Sequence, residues 1–154
     1  MATRPAPASA QIPALRRTSS RRALLNAPQG AADRLTLFAL RRMALAGLND
    51  AVAANAMFNG FGIGFRRPLV LLRATMLELS AGAARTIALA PGCCRKMTAD
   101  EARILAVLRH APADEPRARR HLARLTGAEE SPRVLCTASA YGWALRDLGR
   151  PLGS

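Results

Sequence analysis

Ser131-Pro132-Arg133-Val134-Leu135-Cys136-Thr137-Ala138-Ser139-Ala140-Tyr141-Gly142-Trp143-Ala144-Leu145-Arg146-Asp147-Leu148-Gly149-Arg150-Pro151 reads from end to end as one helix. Serine accepts hydrogen bonds from the free N–H groups of a first turn, and proline at the first helical position brings a φ already suited to it. Val134, Ala138, Tyr141, Leu145 and Leu148 recur at intervals of four, three, four and three, which sets them along one face of a 3.6-residue helix. Gly149 and Pro151 stop it.

The same signals, followed back along the chain, predict four more helices. Thr98 and Glu101 have the spacing of a capping box, in which each side chain satisfies the other's backbone donor. The helix they open turns Ile104, Leu105 and Leu108 inward and ends at Pro112. A short helix follows Asp114, buries Leu122 and Leu125, and ends at Gly127. Earlier, Pro68 opens a helix with Leu69, Leu72, Met76, Leu79, Ala83 and Ile87 as its stripe and Pro91-Gly92 as its end. The first helix is expected from Asp33 to Met57, with Leu37, Leu40, Ala44, Leu48 and Val52 on one face, broken by Gly60, Gly62 and Gly64. No stretch reads as a strand. The expected fold is all-α: a five-helix bundle in which a hairpin over 33–90 joins a three-helix unit over 97–149.

Residues 33–152 form the expected helical domain. Residues 1–32 are expected to be a disordered basic tail. They contain Pro5, Pro7, Pro13 and Pro28, and the five arginines there face no acid before Asp33. Few large apolar groups are present to offset the entropy of ordering.

The whole chain of 154 residues suits one domain with an extension. Half of it is hydrophobic but only 4% aromatic, and much of the apolar share is alanine, a strong helix former. The 23 basic and 10 acidic residues leave a formal net charge of +13. Such a field attracts nucleic acid, anionic lipid or an acidic protein. Lys96 is the only lysine, so the charge is almost all arginine, as GC-rich codon usage would favour; that bias does not explain the shortage of acids. Three cysteines are too few for a disulfide framework and indicate a reducing, cytoplasmic compartment. The most apolar helix carries Arg73, Glu78 and Arg85, which argues against a transmembrane segment. Ser20-Arg21-Arg22-Ala23-Leu24-Leu25 has the outline of a twin-arginine export signal, but Asn26, Pro28, Gln29, Gly30 and Asp33 follow in place of an apolar stretch.

Several segments carry a family resemblance: Leu45-Ala46-Gly47-Leu48-Asn49-Asp50-Ala51, Phe65-Arg66-Arg67-Pro68-Leu69, Cys93-Cys94 ahead of Met97-Thr98-Ala99-Asp100-Glu101, and Asp147-Leu148-Gly149-Arg150-Pro151-Leu152. Over about residues 34–152 the chain resembles short uncharacterised proteins of alphaproteobacteria. The resemblance implies a bacterial cytosolic protein and brings no activity with it.

Candidate sites are few. Gly60-Phe61-Gly62-Ile63-Gly64 precedes Arg66 and Arg67, which could hold an anion at a helix start. The segment lacks the strand context or the lysine of a phosphate loop, and a turn docking Phe61 and Phe65 is the plainer reading. Asp50 is expected to pair with Arg73 or Arg85 rather than to act in catalysis. Cys93 and Cys94 lie beside Arg95, Lys96 and a helix start, surroundings that favour a thiolate and suit a redox site. Cys136 is expected in the core. Cys93, Cys94, Cys136, His110 and His121 lack zinc-site spacing, so neither metal nor cofactor is expected. Arg117, Arg120, His121 and Arg124 share one face of the fourth helix opposite Leu122 and Leu125, and the tail adds Arg16, Arg17, Arg21 and Arg22. Such clusters suit phosphate, while the last helix offers too few base-reading side chains for a sequence-specific reader.

These features favour a small non-enzymatic cytosolic binding or adaptor protein, with another protein or a second copy as partner. The alternatives are nonspecific nucleic-acid binding by the tail and fourth helix, and a thiol or metal site at Cys93-Cys94. A third is an anionic membrane surface engaged by the tail and by Arg34, Arg41 and Arg42 of the first helix.

Overall fold

A computed structural model describes residues 14–17, 25–128 and 131–154. The fold is all-α with only short strands. All five expected helical segments are present, the first in two pieces: α1 (Ala31–Ala46) and α2 (Ala51–Phe61). Gly47, at φ 96°, takes the chain out of α1, and Asp50 caps α2 by accepting from the Ala53 N–H at 2.8 Å. Arg42 of α1 donates to both Asp50 oxygens, at 3.0 and 2.8 Å, and pins the break. The new phase leaves Val52 about half exposed, at 48%, and gives the inward positions to Ala53 and Met57.

A single 3-10 turn, Gly62–Phe65, joins α2 to α3 (Arg66–Gly82). The end of α3 corrects the expectation of a helix to Pro91. Ile87–Leu89 is a strand, β3, in parallel register with β1 (Leu15–Arg17), Leu15 opposite Ile87. Ile87 and Leu89 point inward and are fully buried, with Ala88 between them partly exposed. Three residues are too few to separate that period of two from a helical stripe. A second ladder pairs β2 (Leu25–Asn26) with β4 (Lys96–Met97), antiparallel. Both ladders draw on the expected tail, and Leu15 is buried in the core. Ala31 and Ala32 of the expected tail open α1, and tail residues 1–13 and 18–24 lie outside the described residues.

The last three helices are α4 (Ala99–His110), α5 (Glu115–Thr126) and α6 (Pro132–Asp147). α4 and α5 form a hairpin, α6 packs along α3, and α1 crosses α4. One core joins Leu40, Met43, Met57, Leu72, Met76, Ile104, Leu108, Leu125, Tyr141 and Leu145. The Thr98–Glu101 capping box forms as its spacing predicts. Glu101, fully buried, also accepts from the Ala90 N–H at 2.9 Å and from Arg41 Nε at 2.8 Å and Nη2 at 3.0 Å. Arg41 reaches on to the Cys94 and Lys96 carbonyls, each at 2.7 Å. One ion pair therefore ties α1, α4 and the loop before β4 together. Among the described residues, no helix is long and apolar enough to cross a membrane.

Candidate functional site

Folding engages most of the chain's few acids in ion pairs. Asp33 meets Arg109, Asp50 meets Arg42, and Asp100 meets both Arg85 and Arg103. Glu101 meets Arg41, Glu115 meets Arg119, and Asp147 meets Arg67. The expected pairing of Asp50 with Arg73 or Arg85 is thus corrected. The helix break brings Asp50 to Arg42, and Arg85 turns instead to Asp100 and the Leu125 carbonyl. The Arg42 hydrogen bond holds the Asp50 carboxyl below its ordinary pKa. Burial opposes ionisation of Asp100, but Arg85, the Ala88 N–H and Arg103 outweigh it and hold its carboxyl low as well. These carboxylates hold elements together.

The arginines of α5 are engaged differently. Asp114 caps the helix by accepting from the Arg117 N–H at 3.0 Å, and Ala118, Leu122, Leu125 and Thr126 face the core. That fixes Arg117, Arg120 and Arg124 outward, all exposed, and among the described residues none is in an ion pair. His121, on the same side, stacks against His110 of α4, with ring centroids 5.9 Å apart and planes 12° from parallel. Burial pushes both imidazoles below their ordinary pKa, and the charge of Arg117 adds to it. His121 also feels Arg124, Arg120 and Arg103; His110 also feels His121 and Arg109, with Asp114 opposing. A neutral imidazole pair ringed by guanidinium groups repels cations and suits an anion. The convergence of two histidines 11 residues apart was not legible in the sequence; the available signal was their place on helices joined by the turn 111–114.

Arg66 and Arg67 belong to another part of the surface. Arg67 donates to Asp147 at the C-terminal end of α6, at 2.8 Å. The C-terminal end of α5 meets the chain just beyond the opposite end of α3, through Arg85. Phe65, ahead of Arg66, is already in the α region, so the two arginines do not flank an open helix start. The glycines before them serve packing. A Cβ at Gly60 would fall on the Leu35 side chain and one at Gly64 on Leu148, while Gly62 has φ +67°. Phe61 and Phe65 dock on the core as expected, and Phe65 meets Phe58 edge to face at 5.4 Å.

The cysteines are all unbridged. Cys93 is exposed and Cys94 half-buried in the loop that Arg41 anchors. Cys136 is exposed, not in the core as expected, because Val134, Leu135 and Ala138 take the inward positions of α6. Among the described residues no three His, Cys, Asp or Glu side chains gather as a metal site.

Cys136 instead lines a groove of about 470 Å³ between α5 and α6, with Leu135, Ser139, Trp143, Glu115 and Arg119. Trp143 is 47% exposed, and the Arg146 guanidinium lies 4.9 Å from its ring centroid. A second depression, on the outer side of α5, shares Glu115 and Arg119 with the groove and adds Pro116, Arg120 and Ala123. Trp143 stands outside the residues that the sequence alone marks as a candidate site. Its position between the inward residues Tyr141 and Leu145 was the signal that it faces away from the core.

No curated protein and no solved structure matches the chain. Residues 19–150 match a family of unknown function (DUF6628), and with most of its length covered the chain belongs to that family.

Proposed function

We propose that this chain is a nucleic-acid-binding protein that holds the phosphate backbone on the outer face of α5, without reading sequence. The observation that carries the reading is the trio Arg117, Arg120 and Arg124, exposed around the stacked histidines on a helix whose other side is core. Guanidinium forks match phosphate oxygens, and such contacts supply affinity and salt dependence but no base information. The unbridged cysteines support a reducing, cytosolic setting for it. Three phosphate contacts correspond to a slope of about −2.7 in log affinity against log salt, or roughly a 40-fold loss between 50 and 200 mM. The test is fluorescence polarisation of labelled DNA and RNA across that range. Arg117→Gln, Arg120→Gln and Arg124→Gln together are expected to flatten the slope by about that amount. A combined variant with the wild-type slope, or no binding at either salt, refutes the reading.

A second reading, self-association, draws on a different surface. Ile63 is 92% exposed, Val70 60% and Leu77 55%, at intervals of seven, on the 3-10 turn and α3. Val70 and Leu77 share one face of α3, and exposed large apolar groups on one helix face mark a contact surface. Sedimentation velocity is expected to give a dimer that Leu77→Lys dissociates; a monomer at every concentration excludes it.

A further inference from the structure

We propose that the groove between α5 and α6 takes single-stranded nucleic acid, with a base stacked on Trp143 and the flanking phosphates on Arg119 and Arg120. The inference rests on the phosphate-binding reading and adds to it the class of nucleic acid. Trp143 is the only tryptophan of the chain and leaves almost half its surface in solvent on the outer side of α6. Arg146 lies over the ring and holds it by a cation–π contact, so the indole is a braced platform. Leu135 and Cys136 give the groove an apolar floor suited to a base, and Ser139 supplies a hydroxyl that can donate or accept at a base edge.

The groove opens toward positive charge. Arg119 and Glu115 line both it and the depression that holds Arg120, so one path leads from the indole to the outer face of α5. Glu115 is the acid along that path, and it pairs with Arg119 one helical turn away. An exposed pair of that kind is worth little, so Arg119 can exchange Glu115 for a phosphate oxygen. Stacking on an indole requires an unpaired base, because in a duplex the base faces are already stacked on their neighbours. A duplex therefore reaches only the arginines, and a single strand reaches both the arginines and Trp143.

Tryptophan emission from the full chain reports this groove alone. The probes are labelled oligothymidine, an RNA of equal length, a DNA duplex of equal length and polyglutamate, each titrated at low salt with polarisation read alongside. The expected result is saturable quenching by both single strands and binding of the duplex without quenching. Trp143→Ala is expected to weaken single-strand binding roughly 5- to 150-fold and leave duplex binding unchanged, while Trp143→Phe restores part of the loss. Circular dichroism of both variants separates a folding defect from a lost contact. Single-strand binding with no change in emission and no effect of Trp143→Ala overturns the inference and leaves the phosphate-binding reading standing. Quenching by polyglutamate equal to that by the single strands assigns the groove to acidic peptides and also overturns it. No polarisation change with any nucleic acid removes both.

Discussion

Replacing Arg41 by methionine isolates the ion pair that ties α1, α4 and the loop before β4. Arg41 makes four hydrogen bonds, two to Glu101 and one each to the Cys94 and Lys96 carbonyls. Methionine fills much of the same volume, so the expected loss is electrostatic and not a cavity. The Glu101 carboxylate keeps only the Thr98 and Ala90 N–H groups, in a site with no solvent access. Breaking a buried pair from one side costs about 3–5 kcal/mol. Those two N–H groups go on supporting the anion, which places Arg41→Met near the lower end. For a chain of this length a loss of about 3 kcal/mol is a fall in Tm of roughly 6–12 °C. The assay is urea denaturation followed by circular dichroism, with Arg41→Met, Glu101→Gln and the double variant compared. The double is expected to lose less than the sum of the singles, since neither change then strands a charge. Arg41→Met should also speed alkylation of Cys93 and Cys94, whose loop it anchors. A loss under about 1 kcal/mol, with additive singles, would refute the assignment of Glu101 and Arg41 as a mutually dependent buried pair.

Two further outcomes follow from buried or crowded titratable groups. Burial pushes the Tyr141 hydroxyl well above its ordinary value, and its oxygen lies 2.7 Å from Thr36 Oγ1. It is the only tyrosine, so absorbance at 295 nm is expected to stay flat through pH 10 and rise only with unfolding; an ordinary titration curve would contradict the buried position. His110 and His121 are held below 6.5, so the folded state binds fewer protons than the unfolded one as pH falls through that value. Their contribution to stability is complete above 6.5 and is lost below it. The urea midpoint is expected to drop from pH 7.5 to pH 5, and to drop less in His110→Gln/His121→Gln; an equal drop in both proteins would refute it. Polyanion binding is expected to run the opposite way, tightening at pH 5 as the pair gains charge beside Arg117, Arg120 and Arg124.

What the sequence made legible is what local rules govern. The capping box at Thr98, the caps at Asp114 and Gly127, the stripe of α3 from Leu69 to Leu79 and that of α6 from Val134 to Leu145 depend on residues three or four apart, and they stand where those spacings put them; Ala83 and Ile87 fall beyond the end of α3. The break after Ala46 was written in Gly47 and Asp50, but an apolar stripe running through it outweighed one glycine. Strands β1 to β4 were invisible because each has two or three residues and takes its meaning from a distant partner. For the site, the α5 arginines followed from helical spacing. The histidine stack and the Trp143 groove depend on how α4, α5 and α6 meet, which no single helix encodes.

The parallel pairing of β1 with β3 has a consequence for the order of assembly. Leu15 lies 72 positions ahead of its partner Ile87. At roughly 5–20 residues per second of synthesis, β1 waits about 4–14 s for the other half of its ladder to be made. During that interval Leu15 has no pocket, and α1 to α3 can collapse without it. Closing the ladder is therefore a late event, and changes at Leu15 are expected to act on the rate of unfolding more than on the rate of folding.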